Sequence, residues 1–175
     1  GYEPSVDVWL RWLRAVYRQH EPLAVTIGSV PQGQRLAAVV TFDVDYVKSM
    51  GNLLAYRDLL VREGIPATFF LQTKYYRDFQ DEGFFNDRTL AAMDALVAAG
   101  MEIASHSVSH SDMYASLPLG DGSEQYPTYQ PRVKALGDTQ GATVMGELRV
   151  SRFLLEQLTG RSVVSFRPGY LATPP

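Results

Sequence analysis

Three short polar strings carry the side chains with which this sequence could do chemistry. They are Asp-Val-Asp at 43–45, His-Ser-Val-Ser-His at 106–110 and Arg-Pro-Gly-Tyr at 167–170. The chain has no cysteine, so a metal site must use imidazole and carboxylate ligands. A guanidinium can hold a carboxylate by paired hydrogen bonds. If the strings meet, the sequence predicts a divalent-metal site with a base beside it.

The two histidines of the second string are the strongest signal. His106 and His110 are four residues apart, and one helical turn would bring both rings to the same side. A single loop histidine is more often hydrogen-bonded or solvated, but a pair at this spacing near an Asp-x-Asp favours metal binding. Two histidines and one aspartate leave one coordination position open, which is typical of a catalytic rather than a structural site.

The two aspartates of the first string need not share a role. Alternation along an extended segment points Asp43 and Asp45 the same way and turns Val44 into the core. One carboxylate can bind the metal while the other stays free beside the bound water. Capping of the following turn is the alternative for each.

The third string supplies a cation and a flexible backbone position. Arg167 is expected to hold a carboxylate by a two-pronged hydrogen bond and keep it ionised as a base, with a structural ion pair as the alternative. Gly169 allows the backbone to approach a ligand closely. A backbone N–H near Tyr170 could then face a developing oxyanion.

Alternating strand and helix patterns would position these strings. The predicted strands are 36–42, 67–71, 101–105 and 163–166, the first being an apolar run expected to be covered on both faces. The predicted helices are 6–17, 52–63, 86–99 and 144–158. This alternation predicts an α/β fold with right-handed crossovers and a parallel sheet. Each polar string follows a strand, so all three are expected at the carboxyl-end rim of the sheet.

Composition narrows the class of protein. A chain of 175 residues that is 46% hydrophobic can bury the core of one domain. The net charge of −3 gives no electrostatic reason to expect a nucleic-acid partner. No apolar run approaches the roughly 20 residues of a membrane span, and no signal peptide is recognisable. The first residue is Gly1, so we expect a processed or trimmed chain. The amphipathic helix at 6–17 is expected to dock on the domain rather than on a membrane.

The strings TFDVD, HSVSH and RPGY resemble the first three motifs of the polysaccharide deacetylases, also called carbohydrate esterase family 4 or NodB-homology domains. The segment from Glu147 to Tyr170 resembles the family's helix leading into its third motif. The resemblance covers about 36–170. It implies a distorted (β/α) barrel, a divalent metal that is most commonly Zn²⁺, and hydrolysis of an acetamide on an N-acetylated sugar polymer.

The resemblance also implies roles for particular residues. His106 and His110 resemble the family's metal-binding histidines. The metal-binding aspartate usually follows the base directly, and Val44 occupies that place here. Some members have Asp-x-Asp instead, and by that variant Asp45 is the metal ligand.

The remaining roles come from the first and third motifs. Asp43 resembles the catalytic base, Arg167 the arginine that positions it, and the Tyr170 N–H the oxyanion donor. The family's late histidine, which acts as general acid, has no counterpart, because the third histidine is His20 in the N-terminal helix region. We therefore expect a fragment that could be inactive alone.

The expected organisation is an N-terminal helix and connector at 1–35, followed at 36–175 by the N-terminal portion of a deacetylase domain. A missing C-terminal segment would complete it; the oligomeric state is not indicated. The expected partner is an acetylated polysaccharide, which implies an extracytoplasmic location. Aromatic side chains of the long connectors could stack on sugar rings or simply pack on the barrel: Tyr75, Tyr76, Tyr114, Tyr126 and Tyr129.

Two other functions remain open. One is a non-catalytic carbohydrate-binding or scaffold domain that keeps the metal site but lacks the acid. The other is a related hydrolase of small cyclic amides. The intact pair of His106 and His110 argues against the second, because those relatives tend to lose the metal site.

Overall fold

A computed structural model describes residues 4–24, 30, 34, 36–75, 83–132 and 141–173. The chain divides into two compact units, Gly1–Ala38 and Val39–Pro175. No helix among the described residues is long and apolar enough to cross a membrane.

The first unit contains helix α1, Pro4–His20. Its apolar residues recur at helical spacing, and the rings of Trp9 and Trp12 meet edge to face with centroids 5.8 Å apart. Arg11, Arg14 and Arg18 lie on the opposite side of the helical pattern. Docking of α1 on a domain stays a prediction.

The second unit is built around a parallel sheet of three short strands. The strands are β1 (Thr41–Val44), β2 (Thr68–Leu71) and β3 (Glu102–Ser105), in the order β1-β2-β3. Helices α2 (Ser49–Glu63) and α3 (Asp87–Ala98) form the two crossovers, and α4 (Val144–Thr159) follows β3 after the long connector. The predicted α/β fold with a parallel sheet is therefore confirmed.

Local signals define the helix ends. The side chain of Asn86 accepts from the N–H groups of Arg88 and Thr89, and Thr89 returns the bond, so α3 begins with a capping box. Helices α2 and α4 end at Gly64 and Gly160, both with φ near 64°, where glycine adopts the left-handed conformation without a Cβ penalty.

The core lies where the helices cover the sheet. Side chains from the sheet and from the helices that contact it are almost fully buried and form one cluster. Its members include Leu53 and Leu60 of α2, Phe69 and Leu71 of β2, Met93 and Leu96 of α3, and Leu155 of α4. Burial of this apolar surface, at about 25 cal/mol per Å², holds the strand ends in fixed positions.

The first strand begins later than predicted. Residues 36–40 are not in a strand, and Leu36 and Val39 are more than 80% exposed, so the expectation of a run covered on both faces is wrong there. The neighbouring strand β2 is only four residues long, so it pairs with residues 41–44 alone.

The predicted fourth strand, 163–166, is a single parallel bridge between Ser105 and Phe166. Polar groups of residues 163–165 donate to glutamate side chains. The N–H of Val163 donates to the Glu156 carboxylate at 3.0 Å, and Ser165 Oγ donates to Glu102 at 2.6 Å. The bridge still brings the residues after Phe166 to the rim of the sheet.

Candidate metal centre

The two aspartates lie at the carboxyl end of β1. Asp43 is inside the strand and Asp45 follows it directly, while the side chain of Val44 between them is completely buried. Strand alternation therefore places both carboxylates on the same face, as predicted. Thr41 shares that face, two residues before Asp43.

The two histidines lie on the loop that follows β3, residues 106–110, here called the histidine loop. Their ring centroids are 4.8 Å apart. The loop is not a helical turn, contrary to the expected reason for their proximity. Ser107 (φ 68°) and His110 (φ 49°) adopt left-handed conformations that reverse the chain.

Asp45 lies between the two imidazoles. Its Oδ1 is 3.2 Å from His106 Nε2 and 3.4 Å from His110 Nε2. One ligand atom from each of the three residues falls within 4.8 Å of the others, and no second group of this kind occurs within the described ranges. The structure thus brings together the three residues predicted as metal ligands.

The donor set fits a divalent cation. His106 Nδ1 lies 2.7 Å from the carbonyl oxygen of Arg167, and this bond requires the proton on Nδ1. In that tautomer Nε2 presents its lone pair toward Asp45. Asp45 Oδ1 is buried and has no hydrogen bond of good geometry with any residue that the structure describes. Lone pairs that converge on a buried carboxylate oxygen call for a cation between them. Neutral imidazole and carboxylate are suitable ligands for zinc-type ions.

The electrostatics keep these groups in their metal-binding forms. The adjacent His106 imidazole, 3.2 Å away, lowers the pKa of Asp45, while burial opposes this effect. Burial lowers the pKa of His110, against the opposing effect of Asp45. At neutral pH the cluster therefore offers an ionised carboxylate and a neutral His110 imidazole.

Arg167 lies beside the other carboxylate. Its Nη1 donates to Asp43 Oδ1 at 2.6 Å, whereas its Nη2 donates to Thr41 Oγ1 at 3.1 Å. The guanidinium also lies over the Phe70 ring, 4.1 Å from the centroid. The expected two-pronged bond to one carboxylate is therefore wrong, because the fork is shared between Asp43 and Thr41. Asp43 Oδ2 is 3.9 Å from His106 Nε2, at the edge of the cluster.

The turn at residues 167–171, here called the arginine turn, packs against the histidine loop. A Cβ on Gly169 would lie 3.0 Å from ring atoms of His110, so the close approach expected at Gly169 is to this side chain. The Tyr170 ring lies 4.8 Å from that of His110, and its backbone is left-handed at φ 56°. The N–H of Tyr170 donates to no acceptor in the described part of the chain.

Sequence reasoning did not single out two residues that hold the site. Gln72 is buried, and its amide donates to the backbone carbonyl of Asp45. Glu147 is completely buried and binds the histidine loop. The sequence did contain a signal for Glu147. Its carboxylate occupies a core-facing position of the helix, on the same face as Val150, Ser151 and Leu154.

The tyrosines proposed to stack on sugars differ in exposure. Tyr114 and Tyr129 are buried, so for these two the packing interpretation is correct. Tyr126 is 44% exposed and meets the ring of Tyr75 edge to face. Tyr76 lies outside the described residues.

Comparison with known proteins places the chain in a family. The family described as polysaccharide deacetylase matches residues 31–174. The Xyl-CE4 domain of a multidomain xylanase from the hindgut metagenome of Trinervitermes trinervoides is 26% identical over 77% of this chain and 49% of that chain, with a TM-score of 0.51. Comparison with curated proteins gave no significant match.

Two further solved structures share the fold. A family 4 acetyl xylan esterase from Clostridium thermocellum, solved with a cobalt ion, is 20% identical over 78% of this chain and 50% of that chain, at a TM-score of 0.50. A CE4 family pseudoenzyme from Bacillus anthracis is 16% identical over 77% of this chain and 36% of that chain, also at 0.50. The chain thus spans half or less of the length of these structures. On the family match, which covers most of its length, the chain belongs to the polysaccharide deacetylase family.

Proposed function

We propose that this protein is a metal-dependent hydrolase that removes acetyl groups from an N-acetylated polysaccharide. The observation that carries the proposal is the convergence of Asp45, His106 and His110 within 4.8 Å, next to an Asp43–Arg167 ion pair of 2.6 Å. Such a donor set with a second carboxylate beside it suits hydrolysis better than a purely structural site.

The metal ligands would be Asp45, His106 and His110. When bound, a divalent cation, with Zn²⁺ as the expected ion, supplies Lewis acidity toward the acetyl carbonyl and acidifies a bound water. Geometry supports this division of the aspartates, because Asp45 lies between the imidazoles while Asp43 is bonded to Arg167.

The other residues act on protons and charge. Asp43, oriented by Arg167 and Thr41, takes the proton of the attacking water as general base. The N–H of Tyr170, which has no acceptor among the described residues, donates to the oxyanion that forms on the acetyl carbonyl. Acetylated polymers of cell envelopes lie outside the cytoplasm, and we expect the protein there.

The first test measures bound metal and acetate release together. Wild type is expected to hold one divalent ion per chain by elemental analysis, and His106→Ala and Asp45→Asn are expected to lose it. Asp43→Asn is expected to keep the metal but to release acetate from N-acetylglucosamine oligomers about 10² to 10⁴ times more slowly. Acetylated xylan serves as the matched O-acetyl substrate.

The outcomes separate the candidate functions. Absence of stoichiometric metal in metal-replete wild type would refute the proposed mechanism. Metal binding without acetate release from either polymer would favour a non-catalytic binding domain, a role consistent with the pseudoenzyme that shares this fold.

A further inference from the structure

We propose that Glu147 is a positioning residue whose carboxylate holds the backbone of the histidine loop so that both imidazoles face Asp45. This inference rests on the proposed metal site. Glu147 lies on α4, 37 or more positions along the chain from the loop that it binds. None of its hydrogen bonds within the described residues is with a proposed metal ligand.

The carboxylate accepts four hydrogen bonds from two directions. Oε2 accepts from the backbone N–H groups of Val108 and Ser109, both at 2.8 Å. Oε1 accepts from Ser109 Oγ at 3.0 Å and from Tyr129 Oη at 2.9 Å. Three of the four donors belong to Val108 and Ser109, so the carboxylate binds the middle of the loop.

The loop needs this acceptor because it is neither helix nor strand. Val108 and Ser109 are buried, so water cannot replace a partner for their N–H groups. The left-handed backbone at Ser107 and His110 on either side removes the regular hydrogen-bond pattern that would otherwise use these amides. A single buried carboxylate on α4 substitutes for it.

The length of the Glu147 side chain matters more than its charge for the hydrogen bonds to the histidine loop. Burial raises the pKa of Glu147, and the bonds from Ser109, Tyr129 and Val108 act in the opposite direction. A protonated carboxyl would still present Oε2 to both amides and could donate from Oε1 to Ser109 Oγ. Glutamine has the same length and the same carbonyl acceptor, whereas aspartate keeps the charge but is one methylene shorter.

Gly146 leaves room beside Glu147 for Tyr129, which donates the fourth hydrogen bond. A Cβ on Gly146 would lie 2.0 Å from Cε2 of Tyr129, so the ring can cross α4 only where that helix has a glycine. Tyr129 belongs to the long connector after the histidine loop, and Tyr75 Oη donates to its carbonyl at 2.9 Å. Glu147 therefore joins the connector and the loop to the same helix.

The test compares shortened and isosteric variants with a matched pair on the same helix. The affinity for Zn²⁺ is measured by competition with a chelator for Glu147→Asp and Glu147→Gln. Glu156→Asp and Glu156→Gln are the controls, because Glu156 also accepts a backbone N–H, from Val163 at 3.0 Å, away from the loop. We expect Glu147→Asp to bind Zn²⁺ at least about tenfold more weakly, with Glu147→Gln within about threefold of wild type and the controls unchanged.

A second readout does not require metal, and its first part uses wild type alone. In metal-free wild type the amides of Val108 and Ser109 should exchange with solvent as slowly as core amides, and in Glu147→Asp they should exchange faster. Fast exchange in wild type would overturn the inference even if the variants do not fold. So would wild-type Zn²⁺ affinity in Glu147→Asp, or an equal loss in Glu156→Asp. If wild type binds no Zn²⁺, the proposed function fails, while the exchange rates still decide the role of Glu147.

Discussion

The histidine loop and the arginine turn use the same unusual backbone in different surroundings. Each has two non-glycine residues with positive φ: Ser107 and His110 in the loop, Tyr170 and Leu171 in the turn. In the loop these residues are buried or half-buried, whereas Tyr170 and Leu171 are 64% and 71% exposed. A left-handed backbone costs on the order of 1 to 2 kcal/mol per residue, so each segment needs a compensating contact.

The two segments differ most in their amide partners. Every backbone N–H of the histidine loop is bonded: those of residues 106–110 donate in order to the Leu71 carbonyl, Ser105 Oγ, Glu147 twice and Ser107 Oγ. In the arginine turn the N–H groups of Gly169 and Tyr170 find no acceptor within the described residues. The protein itself orders the loop, whereas the turn leaves donors available to a ligand.

The largest expected effect contrasts loss of a ring from each segment. His110→Ala removes one of three proposed ligands, so the affinity for Zn²⁺ should fall by more than about 100-fold. This loss exceeds the one usually seen when a residue that only hydrogen-bonds to a metal ligand is changed. Tyr170→Ala removes only the ring beside His110 and should change that affinity less than about threefold. Chelator competition on both variants measures the difference. Equal losses would show that the turn shares in metal binding.

A smaller effect should appear when glycine relieves the strain in each segment. Ser107→Gly also removes the Oγ that accepts the His110 N–H at 3.0 Å, so we expect a net loss of about 1 kcal/mol in the free energy of unfolding. Tyr170→Gly loses no such bond. The larger conformational entropy of glycine in the unfolded chain offsets much of the relieved strain, so stability should change by less than about 0.5 kcal/mol. Urea denaturation of the metal-free proteins measures both. A stabilised Ser107→Gly variant would contradict the view that hydrogen bonds hold the loop.

The smallest expected effect is a pH dependence of the free energy of unfolding that arises from His110 in the histidine loop. Burial lowers the pKa of His110 from its usual 6.5, so below pH 6.5 the unfolded chain binds more protons than the folded one. The free energy of unfolding should therefore fall as the pH drops through this range, by at most about 1.4 kcal/mol per pH unit.

Denaturation of metal-free wild type and His110→Ala across this pH range isolates the His110 effect. The slope should be smaller in His110→Ala, because that variant lacks the imidazole whose pKa is lowered by burial. The stability that Asp45 contributes through its lowered pKa is lost at more acidic pH, as its carboxylate becomes protonated. An unchanged slope would assign the effect to other groups.

Periodicity predicted the interior elements well and the sheet edges poorly. Helix α3 follows its N-cap Asn86, and β2 lies within the predicted 67–71, because a cap and a buried apolar run are local signals. The runs 36–40 and 163–166 are also mainly apolar, but a strand requires a partner of matching length as well. That partner belongs to another part of the chain, so local patterns could not show where the ladder stops.

The sequence by itself predicted that Asp45, His106 and His110 lie together at one rim of the sheet, and the structure brings them together. Residue types, the order of the strings and the strand before each were sufficient, because parallel strands bring their carboxyl ends together. Only the tertiary structure decided how the groups are held. The histidines converge through a left-handed loop rather than a helical turn, Arg167 divides its bonds between Asp43 and Thr41, and Glu147 binds the loop from α4. These contacts join residues that are distant along the chain, and the direction of a hydrogen bond depends on three-dimensional packing that no local pattern encodes.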